Sequence, residues 1–334
     1  MKKNFCAKIV PWFLVPALSI ALEACPQPTS SSIAVPAASI AAVVAGYTMD
    51  EVSGTAITIP AYWEGGTRTD LSYPSTGKGG FANAIAVSGT SRYVAGYTVD
   101  SNGNHVPALW VNGQRTDLPV STARATNCAL RVALSGSDIY VTGEGGDFSP
   151  SYWKNGVRVT SLGGTGVFGL VNDIAISDGT VYAAGYLDGS SASTYPVPTL
   201  WIGNAKKQFA VDVKGNDNVA NSIAVSGRDI YLSGTYNASD STVQACYWSV
   251  DSSGSYQRHQ LPVPTGASGH AEGIVVAANA VYVSGYYCDA KNVNHPVYWK
   301  NGECVPLSEM NSSAGGWTYG IGLSSSGGVI VSGT

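Results

Sequence analysis

From residue 40 onward, apolar and polar positions alternate in short runs of about four to seven residues, broken by Gly, Asn, Asp and Ser. Period-two alternation enriched in Val, Ile, Tyr and Trp predicts half-buried β-strands. No stretch after residue 25 keeps a helical period. The strands recur as one phrase, marked by a glycine inside a Tyr/Val-rich run: Gly46, Gly96, Gly143, Gly185, Gly234, Gly285 and Gly333. Their spacings of 50, 47, 42, 49, 51 and 48 residues are those of a repeat architecture.

Aligned on the glycine, each unit has four pieces. A small-residue strand comes first, as in Ala82-Asn-Ala-Ile-Ala-Val-Ser-Gly89 and Ala220-Asn-Ser-Ile-Ala-Val-Ser-Gly227. The glycine strand is second. A third ends in an aromatic pair, Tyr62-Trp63, Leu109-Trp110, Tyr152-Trp153, Leu200-Trp201, Tyr247-Trp248 or Tyr298-Trp299, and a short polar run such as Arg115-Thr-Asp-Leu118 is fourth. Asn112-Gly113, Asn155-Gly156 and Asn301-Gly302 join third to fourth. A two-residue type I′ turn needs positive φ at both positions, and Asn-Gly meets that at least cost.

Four antiparallel strands per unit predict an all-β fold, a β-propeller of four-stranded blades. The Ala, Ser and Gly positions of the first strand suit the crowded axis, and the Trp suits the wider wedge between blades. Six blades are favoured, with the N-terminal unit borrowing its innermost strand from Tyr319 to Ser324. Seven remain open, with Ile33 to Val35 as a degenerate first strand of the N-terminal unit. The phrasing resembles bacterial extracellular repeat proteins of the HAF type, and propeller-forming repeat lipoproteins, over residues 40–334. That resemblance implies architecture and export, and carries no catalytic residues.

Lys2, Lys3 and Lys8, followed by an apolar run from Ile9 to Leu22, read as an export signal over residues 1–24. Leu22-Glu23-Ala24-Cys25 resembles a lipobox, although Glu23 departs from the usual small residue. The resemblance implies lipidation of Cys25, a membrane anchor and linker over 25–39, and a cell-envelope or surface location; without lipidation the protein would be periplasmic or secreted. The single propeller domain is then 40–334. Net charge is −4, and charged residues are 12% of the chain. No basic face is available for nucleic acid. Export permits disulfides, and Cys288 and Cys304 fall within one unit. The plainer reading of Cys128, Cys246, Cys288 and Cys304 is small buried hydrophobes.

Candidate chemistry is sparse. No phosphate loop, nucleophile elbow, metal spacing or cofactor motif appears, and no catalytic residue is assigned. The four histidines fall in different units, and His105 and His295 read as solvated loop residues ahead of a third strand. Asp100-Ser-Asn-Gly-Asn104 has some look of a calcium loop but reads as a hairpin tip.

One ring stands out, two residues before the Ile of each first strand: Asn83, Leu130, Asn172, Asn221, Glu272 and Tyr319. Two places earlier stand Phe81, Cys128, Leu170, Val219, His270 and Trp317. These positions gather at the axial mouth. The ligand-binding candidates are His270, Glu272, Trp317, Tyr319, Asn83, Asn172 and Asn221. On the competing structural reading, the asparagines bond neighbouring blades and the aromatics plug the channel. The expected function is a binding module for a protein or glycan. A polysaccharide lyase or glycosidase using Glu272, His270 and Tyr319 is one alternative, and an envelope assembly scaffold is another.

Overall fold

The computed structural model describes residues 42–52, 55–160, 162, 167–188, 195–213, 215, 217–240, 242–307, 315–324 and 327–333. The expected signal segment, the anchor at Cys25 and the strand at Ile33 to Val35 lie outside the described residues.

All regular structure described is β. Sheet one is β1 (Val43–Val52), β2 (Thr55–Glu64) and β3 (Thr67–Asp70). Sheet two is β4 (Gly80–Ser88), β5 (Ser91–Val99), β6 (His105–Val111) and β7 (Gln114–Asp117). Sheet three is β8 (Cys128–Ser135), β9 (Asp138–Glu144), β10 (Tyr152–Lys154) and β11 (Val157–Val159). Sheet four is β12 (Gly169–Ser177), β13 (Thr180–Leu187), β14 (Val197–Ile202) and β15 (Ala205–Gln208). Sheet five is β16 (Val219–Ser226), β17 (Asp229–Asn237), β18 (Val243–Val250) and β19 (Tyr256–Gln260). Sheet six is β20 (Ser268–Ala277), β21 (Ala280–Cys288), β22 (Asn294–Lys300) and β23 (Glu303–Pro306), and β24 (Thr318–Leu323) with β25 (Val329–Gly333) ends the chain.

Every sheet is an antiparallel meander in chain order, and each first strand packs on the first strand of the next sheet. This is the β-propeller arrangement, with the first strands innermost. The exchange expected at the closure is not made. β24 pairs with β25, and the first sheet is β1-β2-β3 without it. The pairing is local because the hairpin keeps the register of the other first and second strands, which a strand crossing to another sheet would give up.

The turn expectation holds in detail. Asn112 and Gly113, Asn155 and Gly156, and Asn301 and Gly302 all have positive φ, from 50° to 84°. Each asparagine also extends the ladder to the second strand. Its Oδ1 accepts from the N–H of Arg92 (2.9 Å), Ile139 (2.8 Å) or Val281 (2.9 Å), and its own N–H donates back to that residue's carbonyl. Asp100, Asp251 and Asp289 close their hairpin tips with one carboxylate oxygen that accepts the amides two and four residues on. Amide donation, from Asn104 foremost, holds the Asp100 carboxyl below its ordinary value.

The core is a series of wedges between sheets rather than one mass. Trp110, Trp153, Trp201, Trp248 and Trp299 are fully buried. Each packs against an apolar residue just after the previous sheet's fourth strand: Leu71, Leu118, Leu162, Phe209 and Leu261 respectively. Four indoles also donate to a backbone carbonyl there, to Ser72, Pro119, Leu162 and Pro262 at 2.8–2.9 Å. Among the described residues Trp248 Nε1 has no partner; Phe209 replaces the leucine and stacks on its ring at 5.3 Å. Trp63 and Leu307 are only half-buried. Cys246, Cys288 and Cys304 are free thiols. The reading as small buried hydrophobes holds for Cys246, while Cys288 and Cys304 are half-buried.

Replacing Trp201 by Ala is expected to cost about 3–5 kcal/mol in urea unfolding. Trp201→Phe, which strands the Leu162 carbonyl, should cost roughly 1–2 kcal/mol more than Trp248→Phe, which removes no hydrogen bond.

Candidate functional site

The mouth is formed where first strands begin and second strands end, because hairpin pairing puts those ends together. In each first strand the ladder slips by one residue, and the extra residue is Asn83, Leu130, Asn172, Asn221, Glu272 or Tyr319. The sequence-predicted ring is therefore a ring of β-bulges, and a bulge re-aims a side chain out of the ladder.

Three of the bulged residues reach the next sheet. Asn83 Nδ2 donates to Ala129 O at 2.8 Å, Asn172 Nδ2 to Ala220 O at 2.9 Å, and Asn221 Nδ2 to Ala271 O at 2.9 Å. Each acceptor is the residue just before the next bulge, so the joints are equivalent. Asp173 adds a second tie, accepting from Ser222 Oγ at 2.6 Å and the Ile223 amide at 3.0 Å. Beside the Leu130 and Glu272 bulges a threonine bridges two sheets. Thr142 Oγ1 donates to Asn172 O at 3.1 Å, and Thr318 Oγ1 to Gly285 O at 2.7 Å. The three asparagine amides thus serve the joints between sheets.

His270, Glu272 and Tyr319 fall on the remaining arc, where β20 and β24 pack together. His270 lies flat on Tyr286, with centroids 4.7 Å apart and planes 10° apart. Burial, foremost, pushes the Tyr286 phenol above its ordinary value, and nearby Glu272 and Tyr319 push it the same way. The phenol therefore stays neutral. Tyr319 is 42% exposed. Trp317, half-buried just before β24, carries the carbonyl that lies over Gly333.

Arg131 was not among the expected residues. It stands directly after the Leu130 bulge and points toward the far side of the ring. Its Nη2 donates to Tyr319 O at 3.4 Å and its Nη1 to Leu130 O at 3.2 Å. Among the described residues no carboxylate lies within ion-pair distance of it. The sequence signal was a positive charge beside a bulge position, where other units have Ala, Asp, Ser or Gly.

The histidines at the second-to-third-strand loops are strand residues packed on tyrosines, which corrects the solvated-loop expectation. His105 opens β6 and stacks on Tyr97 at 4.1 Å, and Phe81 stacks on the same Tyr97 at 5.0 Å. His295 lies on Tyr287 at 4.7 Å and meets Asp289 Oδ2 at 3.2 Å. Burial lowers the basicity of His105. His295 pairs directly with Tyr287, and Tyr97 lies diagonally from His105, whose direct partner is Val99; both stacks are cross-strand contacts, invisible until register is known.

Glu144 occupies the place held by Tyr97, Tyr186 and Tyr286 in other units. It is 7% exposed and accepts amides from Gly146 at 2.8 Å and Phe148 at 3.2 Å. Burial raises its pKa, with those amides opposing.

Comparison with protein-family models finds no match, and comparison with curated proteins finds none. Among solved structures, a GH43 β-xylosidase/α-arabinofuranosidase from a compost microbial metagenome, solved with xylotriose, is 12% identical. The alignment covers 74% of this chain and 92% of that one at a TM-score of 0.37. A fucose-specific lectin from Aleuria aurantia is 12% identical over 74% of this chain and 88% of that one, TM-score 0.43. A mutant of AofleA from Arthrobotrys oligospora is 12% identical over 76% and 78%, TM-score 0.45. At these values none carries a ligand or a reaction to this chain.

Two outcomes test the site's electrostatics and joints. A carboxyl with a raised folded pKa gives stability that is full below its ordinary value, near 4.5, and is lost as pH rises through the folded value. Glu144→Gln should therefore flatten the fall in stability above about pH 4.5 in urea titrations across pH. Asn221→Ala leaves the Ala271 carbonyl unpaired and should cost about 1–3 kcal/mol, measured by the same unfolding.

Proposed function

We propose that this protein is an exported, lipid-anchored β-propeller that acts as a binding module at the bacterial cell envelope, with a protein or glycan as ligand at the axial mouth. The observation that carries the reading is the break in the bulge ring. Asn83, Asn172 and Asn221 hold neighbouring sheets together. The same bulge positions carry Glu272 and Tyr319 on the remaining arc, and Arg131 reaches it from another sheet.

The chemistry suits a hydroxylated ligand. A half-exposed tyrosine offers a stacking face and a phenol, and the guanidinium offers donors beyond the two carbonyls it already meets. A rigid ring of sheets with loops of uneven length presents such groups without much reordering on binding. Glycoside cleavage would ask for two carboxyl groups flanking one bond. Glu144, the buried carboxyl at this end of its sheet, is already held by two amides. Binding is the better use of the mouth.

Screening the purified mature protein against envelope and host glycans, and against crosslinked envelope proteins, tests this. Arg131→Ala and Tyr319→Ala should each weaken the ligand found by about tenfold or more, roughly 1.4 kcal/mol. Asn221→Ala should lower stability and leave the affinity of the folded fraction unchanged. Unaltered affinity in both Arg131→Ala and Tyr319→Ala would remove the mouth as the site.

A further inference from the structure

Sheets three and five carry the same asparagine just ahead of the first strand. Asn127 stands 16 residues before Gly143, and Asn218 stands 16 before Gly234. Both donate Nδ2 to a backbone carbonyl five residues earlier, Asn127 to Thr122 O at 2.8 Å and Asn218 to Val213 O at 3.0 Å. The Oδ1 atoms differ. That of Asn218 accepts the amide of Asn237, three residues past Gly234, at 2.9 Å. Gly146 is the equivalent residue in sheet three, and its amide goes to Glu144 Oε1 instead, at 2.8 Å. Asn127 Oδ1 is left buried, with no partner among the described residues, in a residue that is 0% exposed.

The orphaned acceptor and the diverted amide lie together. A methyl group on Gly146 would stand 2.2 Å from Thr122 O, the same carbonyl that Asn127 Nδ2 bonds. Glu144 Oε1 also holds the Phe148 amide at 3.2 Å. Phe148 has a φ of 59°, an outlier for a bulky side chain. Its carbonyl accepts from Gly169 N of β12 at 2.8 Å. One carboxylate oxygen thus fixes a strained turn that ties sheet three to sheet four at the mouth face.

We propose that Glu144 is a proton-released latch: when its carboxylate takes up a proton, the Gly146 amide passes to Asn127 Oδ1 and the Phe148 amide is released. A neutral carboxyl is the poorer acceptor, and the Asn127 oxygen offers the bond that sheet five already makes. Release relaxes the φ of Phe148 and loosens its tie to Gly169. Asp147 and Arg158 flank Glu144 and pair with each other, at 2.9 Å between Nη1 and Oδ2. Tyr186 of sheet four, itself near Asp188, lies close to it, and Arg124 Nε holds the Gly146 carbonyl at 2.6 Å. Burial keeps the Glu144 pKa above its ordinary value, so the latch opens in mildly acidic solution. It works whatever the mouth binds.

Amide exchange followed by NMR on the purified protein, from about pH 4 to 8, tests this. Corrected for intrinsic rates, the Phe148 amide should exchange about tenfold faster below the Glu144 midpoint than above it, while Gly146 stays protected. Glu144→Gln should abolish the step. Asn127→Ala should lower the midpoint by about half to one pH unit, since it removes a bond of the protonated state, and should expose Gly146 together with Phe148. Asn218→Ala should leave the midpoint in place. If Asn127→Ala does not fold, the unaltered protein decides alone. Gly146 and Phe148 losing protection together there, or Phe148 protection that ignores pH, overturns the latch. So does a step that survives Glu144→Gln, or a midpoint unmoved by Asn127→Ala.

Discussion

The fold depends on one contact repeated between sheets: an apolar side chain just past a fourth strand, set against the tryptophan of the next sheet. Neither partner is buried by its own unit. Leu118 waits for Trp153, and Leu261 for Trp299. A repeat that cannot cover its own apolar face is stable only in series. The contact also has a direction, since each tryptophan looks back along the chain. Trp63 and Leu307, outside the five described wedges, are half-buried.

That directional wedge explains the small residues beside it. A tryptophan lying flat against its own sheet needs a strand with no side chain beneath the ring, and the repeat glycine provides it. The tip of Trp248 would meet a methyl group at Gly234 at 2.8 Å, and Trp299 one at Gly285 at the same distance. The first-strand carbonyl presses on the same glycine from the other strand. One position thus satisfies two close approaches, and it recurs seven times along the chain.

Legibility in the sequence follows from how local each constraint is. The glycine strands, the Asn-Gly turns and the tryptophan wedge depend on contacts within a unit or its neighbour, and they were readable. The ring of mouth residues was readable as a set of positions, because the bulge recurs two residues before the same Ile. Its meaning was not. Asn221 could have faced a ligand or the next backbone, and only the register of the two first strands decides for Ala271 O. Arg131 was missed because the bulge moves it by one place, out of the column where exceptions were sought. The His105–Tyr97 and His295–Tyr287 stacks depend on cross-strand register in the same way. Closure was misjudged because it rests on edge pairing, to which composition is blind.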